Sequence, residues 1–228
     1  IFTSETFKKG WFEVQDEGSQ MVALLADAQP GMRVIDFCAG AGGKTLAMAA
    51  TMKNKGRILA FDTSEKRLSQ IAPRIRRAGV DNVQTHVITS ESDAFIKRHK
   101  QTADRVLEDA PCSGSGTWRR NPDLKWRFTQ KDLDEVVALQ QSILQSAMRL
   151  VKPGGRLVYA TCSVLKEENE MQVEQALKNV NNFKVVCAEK IWDKNAINDE
   201  GGNVSYLSLT PHEDGVDGFF AAVLKREQ

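Results

Sequence analysis

Two cysteines and an aspartate carry the chemistry that this sequence suggests. Asp109 and Cys112 lie in Asp109-Ala110-Pro111-Cys112-Ser113-Gly114-Ser115-Gly116, after a short apolar run, Arg105-Val106-Leu107, that Glu108 interrupts. Cys162 lies in Tyr159-Ala160-Thr161-Cys162-Ser163, after a second run, Arg156-Leu157-Val158. Both runs have strand length and are bounded by Gly, Pro or Ser, which puts both cysteines just beyond strand C-termini. In an open parallel sheet those ends share one edge, where ligands bind. Two thiols and a carboxylate in one cleft suit chemistry on a pyrimidine. A thiolate that adds to carbon 6 makes carbon 5 nucleophilic, an acid at N3 absorbs the charge, and a base removes the carbon 5 proton so that the adduct collapses. Cys162, Cys112 and Asp109 form one set that meets those needs.

A strand-end cysteine is more often a small apolar filler, and Cys38 and Cys187 read that way. The four cysteines are far apart, with no C-x-x-C pair for zinc or redox work, so no metal is expected and reduced thiols in a cytoplasmic protein are the default. A chain of 228 residues, 41% hydrophobic and 27% charged, fits one ordinary globular domain. No apolar segment approaches the ~20 residues of a membrane span, and no signal peptide opens the chain.

The elements that must position these groups begin with Arg33-Val34-Ile35-Asp36-Phe37, a strand by pattern, then Cys38-Ala39-Gly40-Ala41-Gly42-Gly43-Lys44-Thr45 and the helical Leu46-Ala47-Met48-Ala49-Ala50. A glycine-rich turn between strand and helix lets backbone approach a ligand closely. A P-loop would need glycine where Cys38 stands, and a dinucleotide fingerprint would need it at Thr45. An acidic residue ahead of a G-x-G turn suits a third ligand, S-adenosylmethionine, whose cationic methionine end favours carboxylates. Three glycines in four residues make a mere tight turn the weaker reading.

The next strand, Gly56 to Phe61, ends in Asp62, roughly 20 residues past the glycine turn, the spacing at which a carboxylate grips ribose hydroxyls. Ser64 caps a helix running through Arg67 and Ile75, interrupted by Pro73 and ended by Gly79. Asn82 to Ile88 is a third strand, with Thr89-Ser90-Glu91 beyond it. A polar, basic loop from Thr117 to Arg127 precedes a long helix from about Gln130 to Val151, which Pro153-Gly154-Gly155 ends. A helix led by Lys166-Glu167-Glu168-Asn169-Glu170 follows Cys162. Asp217 to Leu224 is a last strand, antiparallel because no convincing crossover helix precedes it. The alternation means an α/β fold with a mostly parallel sheet. Residues 1–28, with aromatic Phe2, Phe7, Trp11 and Phe12 and a helix from Val14 to Ala28 capped by Asp16, form an N-terminal segment packed on a catalytic domain of residues 29–228.

Net charge of +1 is uninformative, but its distribution is not. The cluster at Arg74-Ile75-Arg76-Arg77 reads as a solvated helix face. Arg119-Arg120, with Lys125 and Arg127, directly follows the Asp109–Gly116 turn and carries Trp118 and Trp126. Basic groups interleaved with aromatics beside a cleft suit phosphate contact and base stacking.

The run Asp36 to Thr45, Asp109-Ala110-Pro111-Cys112-Ser113-Gly114, Arg119-Arg120-Asn121-Pro122-Asp123 and Thr161-Cys162-Ser163 stand in the order of the motifs of the RsmB/Sun (NSUN-type) RNA 5-methylcytosine methyltransferases, which this chain resembles. Gln15-Asp16-Glu17 and Asp217-Gly218-Phe219-Phe220 fit the same pattern, so the resemblance spans nearly the whole chain. It implies a Rossmann-like, S-adenosylmethionine-dependent methyltransferase fold with an antiparallel last strand. It also implies methylation of cytosine carbon 5 in RNA, most simply ribosomal RNA, by a monomer. Catalytic roles are implied for Cys162 as nucleophile, Cys112 in release of the methylated RNA, Asp109 at the cytosine edge and Lys44 in the same pocket. In DNA cytosine methyltransferases the Pro-Cys thiol attacks, so swapped thiol roles are the internal alternative. Cofactor contacts are implied for Cys38, Ala39, Gly40, Ala41, Gly42, Gly43 and Lys44 at the methionine end, Asp62 and Arg67 at the ribose, and Asp109. Ser90 stands where the family commonly has an acidic adenine contact, with Glu91 as a substitute, and Ala41 where it often has Pro. Family members usually carry an N-terminal RNA-binding region, and a chain opening on Ile1 is expected to lack one.

The rivals are a tRNA cytosine methyltransferase, a small-molecule methyltransferase on the same fold, and a non-catalytic RNA-binding assembly module. The last two have no need of paired thiols.

Overall fold

The computed structural model describes residues 1–178, 180–192 and 206–228. The strands are β1 Arg33–Asp36, β2 Arg57–Asp62, β3 Val83–Val87, β4 Ala103–Asp109, β5 Val151–Thr161, β6 Phe183–Val186, β7 Leu207–Leu209 and β8 Phe219–Arg226. The helices are α1 Glu5–Lys8, α2 Glu17–Leu25, α3 Gly43–Thr51, α4 Glu65–Leu68, α5 Ile71–Arg77, α6 Ala94–Lys97, α7 Pro122–Arg127, α8 Gln130–Leu150, α9 Glu170–Lys178 and α10 Glu189–Trp192.

The sheet runs β3-β2-β1-β4-β5-β8-β6. Pairings from β3 to β5 are parallel, whereas β8 is antiparallel to β5. Its other edge is shared by β7 and β6, both antiparallel. This is the expected Rossmann-like sheet with its antiparallel last strand. Alternate residues of each strand feed two apolar layers. One packs Val34, Ile58, Leu107 and Val158 with Val22, Leu25, Met48 and Ile71, and the other packs Ile35, Leu59, Val106 and Tyr159 with Ile143, Leu144 and Val173. Burial on both faces explains why these strands read as continuous apolar runs.

Several expected boundaries move. Glu108 does not end β4, because Glu108 pairs in register with Tyr159 and the ladder continues to Asp109. The helix after Ser64 breaks before Ile71, so Pro73 falls in the first turn of α5, where a missing N–H is tolerated. Thr117–Arg127 is not all loop. Pro122 starts α7, with Asp123 in its first turn and Lys125 and Arg127 in its last, an arrangement that suits the helix dipole. Strand β5 extends back to Val151, and Pro153-Gly154-Gly155 makes an irregularity within it. Asp16 caps α2 as expected, accepting from Gly18 N and Ser19 N. The expectation of no crossover helix before β8 falls partly outside the described residues. The described part of that connection holds β6, α10 and β7.

The N-terminal segment is tied down. Glu13 pairs with Arg74 at 3.2 Å and with Arg77, and the Arg77 guanidinium lies 3.9 Å from the centre of the Phe7 ring. Among the described residues no helix is long and apolar enough to cross a membrane.

Candidate active site

The C-terminal ends of β1, β2, β4 and β5 deliver Asp36, Asp62, Asp109 and Cys162 to one edge of the sheet, where a cleft of about 700 Å³ opens. Eleven of the residues singled out above line it: Cys38, Ala39, Gly40, Ala41, Gly43, Lys44, Asp62, Arg67, Asp109, Cys112 and Cys162. Gly42 and Ser90 do not. Gly42 caps α3 in the left-handed region at φ +83°, and a Cβ there would come within 2.7 Å of Ile71. Its glycine serves the packing of the turn rather than the cleft. Ser90 Oγ bonds Ser92 Oγ at 2.9 Å, and its neighbours Ile88 and Glu91 face the cleft instead. Glu91 is held from α8 by Ser142 Oγ at 2.8 Å.

Asp62 organises the first half of the site. Its Oδ2 accepts from Gly40 N at 2.8 Å, and its Oδ1 accepts from Ser64 N at 2.7 Å and Arg67 at 3.1 Å. The carboxylate thereby pins the glycine turn to the end of β2. Ala41 O accepts from Arg74 at 2.6 Å, which fixes the far side of the turn. Asp36 is fully buried at the floor. Thr45 Oγ1 donates to its Oδ2 at 2.6 Å, while its Oδ1 has no partner. Burial, with Asp109 and Asp62 nearby, raises its carboxyl to about 7 despite the Thr45 hydrogen bond. Burial also pushes the Cys38 thiol well up, with the Asp109 charge adding to the effect, so Cys38 stays protonated.

The second half holds the thiols. Cys112 and Cys162 are both free, with sulfurs 3.3 Å apart. Their environments drive them in opposite directions. The hydrogen bond to Cys162 and burial raise Cys112, whereas the hydrogen bond with Cys112, helped by the Lys44 charge, lowers Cys162 against burial and the Asp109 charge. Of the two, Cys162 is the thiol that ionises more readily. Lys44 Nζ donates to Asp109 Oδ2 at 2.7 Å. Burial pulls the ammonium down, but Asp109 more than offsets this and holds Lys44 charged.

A buried network behind the thiols was not legible in the sequence. Glu168 accepts from Ser113 N at 2.7 Å, Ser113 Oγ at 2.5 Å, Gln140 Nε2 at 3.0 Å and Ser163 Oγ. Asn169 accepts from Thr161 Oγ1 at 2.6 Å and donates to Ser163 O at 3.0 Å. The basic cluster is divided. Arg119 and Arg120 both pair with buried Asp217, while Trp126 of α7 is 82% exposed with Lys125 Nζ 5.6 Å from its ring centre.

These residues fit a nucleoside carrying a cationic amino-acid tail. Asp62 suits a ribose, Ile88 and Ile143 offer apolar walls to a base, and the orphaned Oδ1 of Asp36 lacks a donor. The comparisons agree with that fit. The model of the family described as 16S rRNA methyltransferase RsmB/F matches residues 23–225. The ribosomal RNA small subunit methyltransferase B of Enterobacter sp. is 36% identical over 97% of this chain and 48% of its own length. The chain thus spans about half the length of the curated relatives it matches. The crystal structure of PH0851 superposes with a TM-score of 0.87 and 39% identity, over 99% of this chain and 49% of that one. NSun6 from Pyrococcus horikoshii, crystallised with the S-adenosylmethionine analogue SFG, gives 0.84 and 29% over 100% of this chain and 56% of its own. With motif order, fold and the residues of the cleft in agreement, the chain belongs to the 16S rRNA methyltransferase RsmB/F family.

Proposed function

We propose that this domain methylates carbon 5 of a cytosine in ribosomal RNA, with S-adenosylmethionine as methyl donor and a covalent Cys162–cytosine adduct as intermediate. The observation that carries this reading is the asymmetric thiol pair, 3.3 Å apart, beside the Lys44–Asp109 ion pair in one cleft. The cofactor supplies an electrophilic methyl group. Its ribose would be held by Asp62, with Arg67 alongside, and its methionine end by the turn from Cys38 to Lys44 above Asp36.

The chain's own residues do the rest. The Cys162 thiolate forms a bond to cytosine C6, and electron density moves toward N3 and C5. Asp109 and Lys44 meet that charge at the N3 edge, where the Lys44 ammonium keeps a proton available through Asp109. After methylation the C5 proton leaves to a base that the Cys112 thiol, itself still protonated, positions. The C6–Sγ bond breaks, and Cys162 departs as the thiolate that the Cys112 S–H stabilises. Exposed Trp126, with Lys125 and Arg127 on the same short helix, supports single-stranded RNA as the substrate class. RNA selection would fall to a further region such as the longer relatives have room for.

The test mixes wild type, Cys112→Ala and Cys162→Ala with cofactor and unmodified ribosomal RNA, and runs each on a denaturing gel. A covalent RNA–protein band that accumulates only in Cys112→Ala is expected. A band only in Cys162→Ala would exchange the thiol roles and keep the chemistry. No band and no methylation by any protein, including a full-length form, would move the assignment to a small-molecule methyltransferase or an assembly module.

A further inference from the structure

We propose that Glu168 is a positioning residue that holds the two cysteine-bearing turns together and so sets the Cys112–Cys162 geometry on which adduct formation and release depend. The proposal rests on the thiol chemistry given above. Glu168 ends the short 3-10 helix Lys166–Glu168 and is 0% exposed. Its donors come from Ser113, which directly follows Cys112, from Ser163, which directly follows Cys162, and from Gln140 of α8. One carboxylate thus reaches both turns, which are 50 residues apart in the chain at the cysteines.

Further hydrogen bonds make the link rigid. Ser115 Oγ lies 2.9 Å from Ser163 Oγ, and Gly116 N donates to Cys162 O at 3.0 Å. Gln140 also donates to Pro111 O at 2.8 Å, immediately before Cys112. The Tyr159 hydroxyl donates to the Glu168 carbonyl at 2.6 Å, which anchors Glu168 to β5. Asn169 fixes only the Cys162 turn, through Thr161 and Ser163. Glu168 is the member of this pair that crosses between the two turns.

All the donors to the Glu168 side chain are neutral, and no lysine, arginine or histidine pairs with it among the described residues. A buried carboxylate without a cation is an expensive way to join two loops, since neutral packing would hold them at lower desolvation cost. What the carboxylate adds is several convergent acceptor sites and a fixed negative charge behind the thiols. That charge adds to the forces that raise Cys112 and keep the proton there. A shell of this kind can hold reacting groups within about 0.5 Å of working geometry.

The experiment compares wild type with Glu168→Gln, which keeps the shape but removes the charge and replaces an acceptor with a donor. Each protein is alkylated with iodoacetamide over a pH series, and Cys162 and Cys112 are followed separately by peptide mass spectrometry. Melting temperature and S-adenosylhomocysteine affinity are measured alongside. Wild type should alkylate Cys162 much faster than Cys112. Glu168→Gln should lower that ratio about tenfold while binding S-adenosylhomocysteine as wild type does. In single-turnover reactions with RNA it should slow adduct formation and release with little change in RNA affinity. A wild-type alkylation ratio together with wild-type turnover in Glu168→Gln would overturn the proposal.

If Glu168→Gln fails to fold, Ser113→Ala and Ser163→Ala, which each delete one arm, carry the same comparison, and a wild-type ratio with wild-type turnover in both would overturn the proposal equally. The alkylation arm uses no RNA. An absent RNA adduct in Cys112→Ala would therefore count against the methylation reading, while the thiol ratio would still decide the role of Glu168.

Discussion

The Cys112 sulfur stands 3.3 Å from the Cys162 sulfur, and both thiols are free. A bond of about 2.05 Å needs only a modest approach of the two turns. A peroxide should therefore convert Cys162 to its sulfenic acid with loss of hydroxide, and the Cys112 sulfur should then displace water to close a disulfide. The expected product has two of the four thiols left, a mass about 2 Da lower, and no methylation activity until dithiothreitol restores it. Peptide mapping checks the pairing. Overoxidation of Cys162 to sulfinic acid with Cys112 untouched would show that the sulfurs do not come together in solution.

Asp36 gives the cofactor site a pH dependence. Its carboxyl is raised to about 7 by burial and by the neighbouring Asp109. Below that pH it is protonated in the free protein, and a ligand ammonium favours the ionised form. Affinity for S-adenosylhomocysteine should rise with pH up to about 7 and then level, with proton release on binding at pH 6 and little at pH 8. Calorimetry in buffers of different ionisation heat measures that release directly. Asp36→Asn should bind more weakly and lose the dependence. An unchanged pH profile in Asp36→Asn would remove Asp36 from the ligand contact.

The exposed ring of Trp126 has a separate consequence. Arg119 and Arg120 pair with Asp217 while staying partly exposed, and α7 sets the Trp126 ring beside Lys125 and Arg127 at the surface. Trp126→Ala should weaken single-stranded RNA binding by about 1–3 kcal/mol, the worth of one base stack, and leave S-adenosylhomocysteine affinity unchanged. Asp217→Asn should loosen the loop and weaken RNA binding through its geometry. Filter binding at two salt concentrations separates these effects, because only loss of a phosphate contact changes the salt slope.

Much of this arrangement was legible because parallel strands buried on both faces advertise themselves as apolar runs, and strand–turn–helix order then fixes which ends meet. The Asp36–Thr45 turn, Asp62, Asp109 and the two cysteines reached one cleft for that reason. The missed strands lacked the signal. Phe183–Val186 has no fully buried residue and Leu207–Leu209 is only three residues long, so both form by pairing with β8 rather than by pattern. Beyond β3, Ser90 lies outside the cleft lining while Ile88 and Glu91, the substitute named beside it, line it, since side-chain direction in a loop follows no period. Glu168 was hidden by its neighbours. Within Lys166-Glu167-Glu168-Asn169-Glu170 it looks like one more solvated charge, and only the approach of Ser113 and Ser163 makes it a buried acceptor.

Glu108 is the clearest departure from a pattern that otherwise points one way. It occupies an interior position of β4, is 0% exposed, and neither carboxyl oxygen has a hydrogen-bond partner. Burial alone raises its carboxyl well above the ordinary 4.5, so the folded protein holds it protonated. The unfolded chain, with an ordinary carboxyl, releases that proton as pH rises past about 4.5. Stability from this group is therefore fully present below the ordinary value and declines as pH rises toward the folded value. Glu108→Gln has no proton to lose, so its stability advantage over wild type should grow between about pH 5 and about pH 8. Asp36 contributes a similar slope to both proteins and cancels in the difference. Glu108→Leu should add about 1–3 kcal/mol at neutral pH and raise the melting temperature by at least about 2 °C, since a buried polar group without a partner is replaced by apolar packing. Urea unfolding at the two pH values reads both effects. A difference between Glu108→Gln and wild type that does not change with pH would mean that Glu108 finds a partner or water in solution.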